Sequence, residues 1–305
     1  MRIGMVGLGR MGAGMAGRLT SHGHEVVVHD RDPERVARSA GVDGTIPAAS
    51  LYEVTTKLPP PRVVWLMLPA GGPTRDVIDT LAGLLSKGDV LVDGGSSRWT
   101  DSVERAARLA EEGINFVDAG TSGGVWGRTH GYCLMVGADR EVYARLTPVL
   151  EALAPPGGSA RVGPPGAGHY AKMVHNGIEY ALLQAYAEGF ELLDASTLDL
   201  DLAAVAEVWR HGSVIRSWLL DLAAEVLRRD PEVEQVSAVV EDSGEGRWTV
   251  ETAVDAGVAI PAITLALFSR FASRTPDAFG HRLVNALRHG FGGHEVVPDA
   301  QERKA

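Results

Sequence analysis

The feature that most constrains the fold is a glycine-rich hexapeptide near the amino terminus, Gly7-Leu8-Gly9-Arg10-Met11-Gly12. It follows an apolar run at residues 2–6 and opens an amphipathic, helix-like stretch at residues 11–21. In such a strand–turn–helix the first glycine permits a tight turn, the second lets a pyrophosphate approach the backbone, and the third lets helix and strand pack closely. The hexapeptide therefore predicts a dinucleotide-binding unit, with all six residues at the cofactor.

An acidic residue stands where a unit of this kind binds ribose. Asp30 ends the next strand-like run, residues 25–29. A carboxylate there accepts hydrogen bonds from the adenosine ribose and repels a 2′-phosphate, so Asp30 and Asp32 favour NAD. Arg31 lies between them and could pair with a 2′-phosphate, which leaves NADP as the alternative cofactor.

Short β-branched runs alternate with helical patterns through the first half of the chain. This alternation predicts an α/β Rossmann-type domain with a doubly wound sheet. We predict buried strands at residues 2–6, 25–29, 62–67, 89–92, 115–118, 132–136 and 160–162. We predict helices near residues 11–21, 33–39, 73–85, 99–112 and 139–153.

The pattern changes after a cluster of glycine and proline at residues 157–166. From Ala167 the sequence is helical almost throughout, beginning with a long candidate helix at residues 167–195. We therefore predict three parts of the chain. They are a dinucleotide-binding domain at residues 1–164, an all-α substrate and oligomerisation domain at 165–297, and a disordered polar tail at 298–305.

Composition excludes several classes of function. The net charge of −10 argues against a nucleic-acid partner. No apolar run reaches the roughly 20 residues that a bilayer span requires, and the first strand begins too early for a signal peptide, so we expect a cytoplasmic protein without a membrane partner. The single cysteine, Cys133, has no neighbour with metal-ligand spacing. We expect it to be a small buried side chain, and we predict no metal site.

Two further groups of residues indicate chemistry. Ser122, Gly123 and Gly124 follow the predicted strand at residues 115–118, where their N–H groups and hydroxyl suit a carboxylate or hydroxyl ligand. A glycine-rich turn without function is the alternative interpretation. The second group lies on the long candidate helix.

Lys172, Asn176 and Glu179 are spaced i, i+4 and i+7, so they share one helical face, which His175 borders. Each alone is typical of a solvated face, but together they indicate the wall of an active site. Other histidines, His169 among them, are expected at a helix surface or the edge of the core rather than as ligands.

These residues give the chain a resemblance to the decarboxylating 6-phosphogluconate dehydrogenases, in their shorter bacterial form, within the β-hydroxyacid dehydrogenase superfamily. The resemblance extends from Gly7 to His294. Its motifs are DGGSS at residues 93–97, TSGGVWG at 121–127, GYCLMVG at 131–137, KMVHNGIEY at 172–180 and RHGFGGH at 288–294.

The resemblance implies a 6-phosphogluconate site and an assembly, a homodimer or homotetramer, in which the carboxyl-terminal pair of longer relatives reaches a neighbouring subunit. It makes Arg270 a phosphate-binding residue and residues from Pro298 onward dispensable. The implied substrate-binding residues are Ser96, Ser122, Gly123, Gly124, Lys172, His175, Asn176, Glu179, Tyr180, Arg270, Arg288 and His294.

Two positions depart from the family pattern. Ser96 stands where the family has an asparagine near nicotinamide and substrate, and we expect it to contact both. Ser243 stands where longer relatives carry a phosphate-binding lysine, with Arg247 four residues on. Phosphate recognition is therefore expected to depend on Arg270, Arg288 and Tyr180.

The predicted reaction is oxidative decarboxylation of 6-phosphogluconate to ribulose 5-phosphate and CO₂. Lys172 is the expected general base and Glu179 the expected general acid, with Asn176 and His175 orienting the substrate. Two other functions stay open. One is a β-hydroxyacid dehydrogenase or reductase for a small non-phosphorylated acid, and the other is a catalytically silent nucleotide-binding sensor.

Overall fold

One eight-stranded sheet organises the first half of the chain. The computed structural model describes residues 1–275 and 277–292, without the side chains of residues 285 and 290–292. The strands are β1 (Arg2–Val6), β2 (Glu25–His29), β3 (Thr45–Pro47), β4 (Val63–Leu66), β5 (Val90–Asp93), β6 (Asn115–Ser122), β7 (Cys133–Gly137) and β8 (Ser159–Gly163). Their order in the sheet is β3-β2-β1-β4-β5-β6-β7-β8. Only β6 and β7 pair antiparallel, so the predicted Rossmann-type sheet is confirmed.

Two of the helices between these strands begin at side-chain caps that the sequence supplies. Asp32 accepts the N–H of Glu34, and Ser50 accepts the N–H of Glu53, each at the start of a helix. The helices are α1 (Arg10–Ser21), α2 (Pro33–Ala40), α3 (Leu51–Thr56), α4 (Gly72–Ala82), α5 (Trp99–Glu111), α6 (Gly127–His130) and α7 (Arg140–Leu153).

The core lies on both faces of the sheet. Successive residues of a strand point to opposite faces, so Val63 and Trp65 pack on the same face as α1 and α7, while Val64 and Leu66 pack on the opposite face. Burial on both sides explains why the central strands read as continuous apolar runs rather than as an alternating pattern.

Several local features differ from the sequence-based expectations. The strand β3 and the helices α3 and α6 were not predicted, because each is too short to show a periodic pattern. The antiparallel direction of β7 was also not predicted. Cys133 is exposed, so the expectation of a buried side chain is wrong. It is the first residue of β7, where the side chain points away from the core that its neighbour Leu134 joins.

The second half of the chain is helical, as predicted. Its first helix, α8 (Ala167–Asp194), matches the long candidate helix at residues 167–195 within a residue. The remaining helices are α9 (Leu202–Arg210), α10 (Trp218–Arg229), α11 (Glu245–Ala256), α12 (Pro261–Ser273) and α13 (Phe279–Gly292). Across the described ranges, no helix is both long enough and apolar enough to cross a membrane.

The chain divides into two compact units. The first comprises Met1–Ile178 and Glu245–Thr252, and the second comprises Glu179–Gly244 and the described residues from Ala253 onward. In the second unit, Ala206 and Ala224 form a small buried cluster with Leu227. The division falls within α8, whereas the predicted domain boundary lies before it, near residue 164. That boundary stays a prediction, and the predicted tail at residues 298–305 lies outside the described residues.

Candidate active site

The glycine loop between β1 and α1 has the geometry that the hexapeptide predicts. Gly7 has a φ of 94°, and a Cβ there would lie 2.4 Å from the carbonyl oxygen of Met67. At Gly12 a Cβ would lie 1.9 Å from the carbonyl oxygen of Gly7. At Gly9, by contrast, no described atom outside Gly9 and its two chain neighbours lies within 4 Å of the Cβ position. The loop thus leaves space at the start of α1, where a pyrophosphate would meet free N–H groups.

Asp30 is held at the carboxyl end of β2 by backbone donors. Its carboxylate accepts the N–H of Leu8 at 2.6 Å and that of Asp32 at 2.9 Å. The Arg35 guanidinium lies 3.6 Å away, and the Asp30 side chain is 6% exposed. Burial acts to raise the pKa of Asp30. The N–H donors of Asp32 and Leu8 and the charge of Arg35 outweigh burial and lower that pKa, so Asp30 is ionised at neutral pH.

A cavity of about 490 Å³ opens beside this carboxylate. It joins the glycine loop to the carboxyl ends of β2 and β4, on either side of β1, which is where open α/β sheets bind ligands. Its position, its size and the ionised Asp30 suit the adenosine half of NAD. The cavity is lined by Val6, Gly7, Gly9, His29, Asp30, Arg31, Arg35, Leu51, Met67, Leu68, Pro69, Pro73 and Val77.

Sequence reasoning assigned only Gly7, Gly9, Asp30 and Arg31 of this lining to the cofactor, and two of the parts that it missed carry the argument. Arg35 ion-pairs with both Asp30 and Asp32, and nothing in the sequence distinguishes it from other basic residues on a helix. The segment at residues 67–69 follows β4, the strand beside β1. Its place after a predicted strand was a signal that could have identified it.

The turn after β6 carries the serine and the two glycines expected to hold a carboxylate. Gly123 and Gly124 have φ values of 116° and 52°, a backbone conformation that residues other than glycine rarely adopt. The hydroxyl of Ser122 lies 3.4 Å from Nε2 of His175. The turn is therefore linked to α8 by a side-chain contact within the first unit.

Lys172 is the buried centre of a polar cluster on α8. Its Nζ donates to Oδ1 of Asn176 at 2.7 Å, and both residues are 9% exposed. Nδ1 of His175 lies 3.0 Å from the same Oδ1. If that nitrogen carries the imidazole proton, Nε2 can accept the hydroxyl of Ser122. The four side chains then form one continuous chain of contacts.

Close packing explains how Lys172 reaches the end of the sheet. A Cβ at Gly120, in β6, would lie 2.5 Å from Cβ of Lys172 and 2.6 Å from the carbonyl oxygen of Gly168. The buried carboxylate of Asp118 accepts the N–H groups of Gly166 and His169 at the start of α8. Glycine contacts and a buried acceptor thus fix the helix against β6.

The second unit contains another group of the predicted residues. The guanidinium of Arg270 lies 3.4 Å from the centre of the Tyr180 ring, and its Nη1 donates to the carbonyl oxygen of Glu241. The phenol oxygen of Tyr180 accepts the backbone N–H of Ser243 at 3.2 Å. This cation–π pair holds a positive charge beside the serine that replaces the family lysine.

The remaining predicted residues are placed as follows. Ser96 is exposed in the loop after β5, Glu179 is partly buried on α8, and Arg288 is exposed on α13. His294 lies outside the described residues. The structure thus brings Ser122, Lys172, His175 and Asn176 together in one unit, and Tyr180 and Arg270 together in the other. The functional roles of all these residues stay predictions.

Two protein families of known description match consecutive parts of the chain. The NAD-binding domain of 6-phosphogluconate dehydrogenase matches residues 2–163, and the carboxyl-terminal domain of 6-phosphogluconate dehydrogenase matches residues 168–286. A Haloferax volcanii protein named 6-phosphogluconate dehydrogenase, NAD(+)-dependent, decarboxylating, is 45% identical over 299 residues. The alignment covers 97% of this chain and 99% of that protein.

Solved structures give a consistent comparison. A Plasmodium falciparum 6-phosphogluconate dehydrogenase, described in apo form and in complexes with NADP+ and with 6-phosphogluconate, has a TM-score of 0.84 at 26% identity. The match covers 98% of this chain and 67% of that one. A Mycobacterium tuberculosis 3-hydroxyisobutyrate dehydrogenase, described with L-serine, has a TM-score of 0.74 at 26% identity, with 94% and 99% covered.

Proposed function

The chain belongs to the 6-phosphogluconate dehydrogenase family, and we propose that it converts 6-phosphogluconate to ribulose 5-phosphate and CO₂ with NAD as the oxidant. The observation that carries the proposal is the buried amine of Lys172, held 2.7 Å from Oδ1 of Asn176. It lies in the same unit as the Ser122 turn and the glycine loop. A basic group, a carboxylate-binding turn and a dinucleotide site are what oxidation of a hydroxy acid requires.

Lys172 acts as the general base in this proposal. When bound on the glycine loop, NAD supplies an acceptor for the hydride that leaves C3 of the substrate. Lys172, entering as a neutral amine, takes the proton of the C3 hydroxyl. The resulting ammonium then donates a hydrogen bond to the new ketone oxygen, and Asn176 keeps Nζ in place throughout.

Loss of CO₂ follows from the position of that ketone. It lies β to the C1 carboxylate, so it accepts the electron pair of the C1–C2 bond as CO₂ departs, and Lys172 returns a proton to its oxygen. The product of this step is an enediol. Glu179, seven residues along α8, supplies the proton to the former C2 carbon, which gives ribulose 5-phosphate.

The substrate is held at both ends. The N–H groups and hydroxyl of the turn at Ser122–Gly124 bind the C1 carboxylate, and His175 orients the adjacent hydroxyl. Arg270 supplies the main positive charge for the phosphate, with Tyr180 as its support. We assign Arg288 and His294 to the same substrate end, and Ser96 to the boundary between nicotinamide and substrate.

A substrate and cofactor matrix tests the proposal. Purified protein is assayed for NADH or NADPH formation with 6-phosphogluconate, gluconate and 3-hydroxyisobutyrate, each with NAD and NADP, and CO₂ release is measured in parallel. We expect the highest kcat/KM with 6-phosphogluconate and NAD, with one CO₂ per NADH. Preference for 3-hydroxyisobutyrate without CO₂ release would favour the β-hydroxyacid dehydrogenase alternative. Inactivity with all three acids would favour the nucleotide-binding sensor.

A further inference from the structure

The helix α5 contacts the loop after β5 through a buried ion pair. Nη1 of Arg105 donates to Asp93 at 3.0 Å and to Oγ of Ser97 at 3.2 Å. The Asp93 carboxylate also accepts the Ser97 hydroxyl at 2.7 Å and the N–H of Gly95 at 3.1 Å. The side chains of Arg105 and Asp93 are 8% and 0% exposed. Residues 94–97 are thereby fixed on both sides of Ser96, which points to solvent.

The same face of α5 also contacts the helix that carries Lys172. Ser102, one turn before Arg105, has its Oγ 2.7 Å from Nδ1 of His169. His169 lies three residues before Lys172 and is only 2% exposed, so the expectation that it lies at the helix surface or core edge is wrong. Its burial follows from the close approach of α8 to β6 and α5.

Two further contacts join these helices. The rings of Trp99 and Tyr170 meet edge to face with centroids 5.4 Å apart. A Cβ at Gly166 would lie 2.5 Å from Cγ2 of Val103. The first turn of α8 therefore packs closely on α5, and α8 cannot shift along it without losing these contacts.

These polar contacts do more than fill the core. Nε2 of His169 has no hydrogen-bond partner among the described residues, so burying this ring costs free energy. A buried ion pair such as Arg105–Asp93 is commonly no more stabilising than well-packed apolar side chains of the same volume. Directional hydrogen bonds also fix the orientation of the groups that they join, in addition to what close packing fixes.

We propose that Arg105 and Ser102 are positioning residues for the reaction. Arg105 fixes the loop that carries Ser96, on the nicotinamide side of the site. Ser102 fixes α8, the helix that carries Lys172, through its contact with His169. The helix α5 thus sets the position of the nicotinamide, which accepts the hydride, relative to Lys172, which accepts the proton. This kinetic role rests on the proposed function.

The test compares the variants Arg105→Met, Arg105→Lys and Ser102→Ala with wild type. We expect Arg105→Met and Ser102→Ala to lower kcat by about 10- to 100-fold with unchanged dissociation constants for NAD and 6-phosphogluconate, since small displacements of reacting groups have effects of this size. The isotope effect on kcat with 3-deuterated 6-phosphogluconate should rise, because misalignment slows hydride transfer. Arg105→Lys, which keeps the charge, should recover part of kcat.

A matched control lies at the other end of β5. Arg62 pairs at 2.9 Å with Asp89, whose side chain is 1% exposed. Asp89 directly precedes β5, whereas Asp93 is the last residue of that strand. Arg62→Met should lower the midpoint of urea unfolding but leave kcat and the isotope effect at wild-type values. If Arg105→Met and Ser102→Ala behave like Arg62→Met, the positioning role is refuted.

Amide hydrogen exchange gives a readout that does not require turnover. We expect faster exchange at residues 94–97 in Arg105→Met and at residues 166–172 in Ser102→Ala, and no change at either segment in Arg62→Met. Wild-type exchange rates in both variants would overturn the proposal even if Arg105→Met proved too unstable for kinetics. An inactive wild type would refute only the proposed function, and the exchange comparison would still decide the structural role of the two residues.

Discussion

The carboxylate of Asp30 accepts the backbone N–H groups of Leu8 and Asp32, and these hydrogen bonds stabilise its ionised form. We predict that Asp30→Asn lowers the preference for NAD over NADP, measured as the ratio of kcat/KM values. The expected change is about 10- to 100-fold, since repulsion of a 2′-phosphate by a like charge costs a few kcal/mol. Because the pKa of Asp30 is lowered, wild type should keep this preference at neutral pH and lose it only in acid.

Asp76→Asn is a suitable control for this change. Asp76 is an exposed aspartate on α4 whose ion pair with Arg75 lies at the surface, so its removal should leave the cofactor ratio unchanged. An Asp30→Asn ratio equal to that of wild type would show that Arg31 and Arg35, rather than the carboxylate, determine the cofactor.

Lys172 is the residue on which the proposed chemistry depends. Lys172→Met removes the amine but keeps a side chain of similar length, so we expect kcat to fall by roughly 10³-fold or more while both ligands still bind. Turnover measures the first effect, and calorimetric titration measures the second. Lys87→Met, at an exposed lysine, should retain wild-type kcat. Near-normal turnover in Lys172→Met would exclude Lys172 as the base.

At the scale of elements, the start of α8 is capped by a residue from another element. Asp118 accepts the N–H groups of Gly166 and His169 at 2.6 and 2.7 Å. We predict that Asp118→Ala lowers the free energy of unfolding by about 3 kcal/mol, because two buried donors lose a carboxylate acceptor. Urea denaturation measures this loss.

The control for this cap is a helix start at the surface. Asp201 caps α9 by accepting the N–H of Ala204, and Asp201→Ala should cost only about 1 kcal/mol. Equal losses in the two variants would show that the buried cap of α8 adds nothing beyond an ordinary one.

The approach of α8 to β6 depends on glycine. In Gly120→Ala the new methyl group would lie 2.5 Å from Cβ of Lys172, so we expect a loss of roughly 1–3 kcal/mol in stability. We also expect kcat to fall by about 100-fold, because Lys172 is displaced.

Gly17→Ala serves as the control for the added methyl group. Gly17 lies in α1, and apart from its chain neighbours and the nearby backbone of α1 no described atom lies within 4 Å of its Cβ position. Alanine there should gain up to about 1 kcal/mol in stability and leave kcat unchanged. Wild-type kcat in Gly120→Ala would show that α8 tolerates a shift away from the sheet.

At the scale of the whole molecule, we propose a homodimer or homotetramer in which the carboxyl-terminal segment takes part in function. Removal of residues 298–305 should leave kcat, KM and the mass measured by light scattering unchanged. Removal of residues 288–305, which include Arg288 and His294, should abolish activity on 6-phosphogluconate. Full activity in the longer truncation would remove both residues from the proposed substrate site.

Much of the fold was predictable because strong periodic signals carry it. The strands at β1, β2 and β5 and the long helix α8 agree with the predicted ranges within one or two residues. The short elements β3, α3 and α6 were missed, since each is shorter than the stretch of sequence over which a periodic pattern can be recognised. Cys133 was misassigned because cysteines are usually buried, and composition does not show to which face of β7 the side chain points.

The sequence by itself determined the glycine loop, the acidic end of β2 and the spacing of Lys172 and Asn176, because these features depend on residue type and local geometry. Only the tertiary structure determined which residues distant in sequence contact these features. Arg35 beside Asp30, the cap of α8 by Asp118 and the α5 contacts of Arg105 and Ser102 join residues far apart in the chain. Local periodicity does not predict such contacts, since they form only when strands and helices pack against each other.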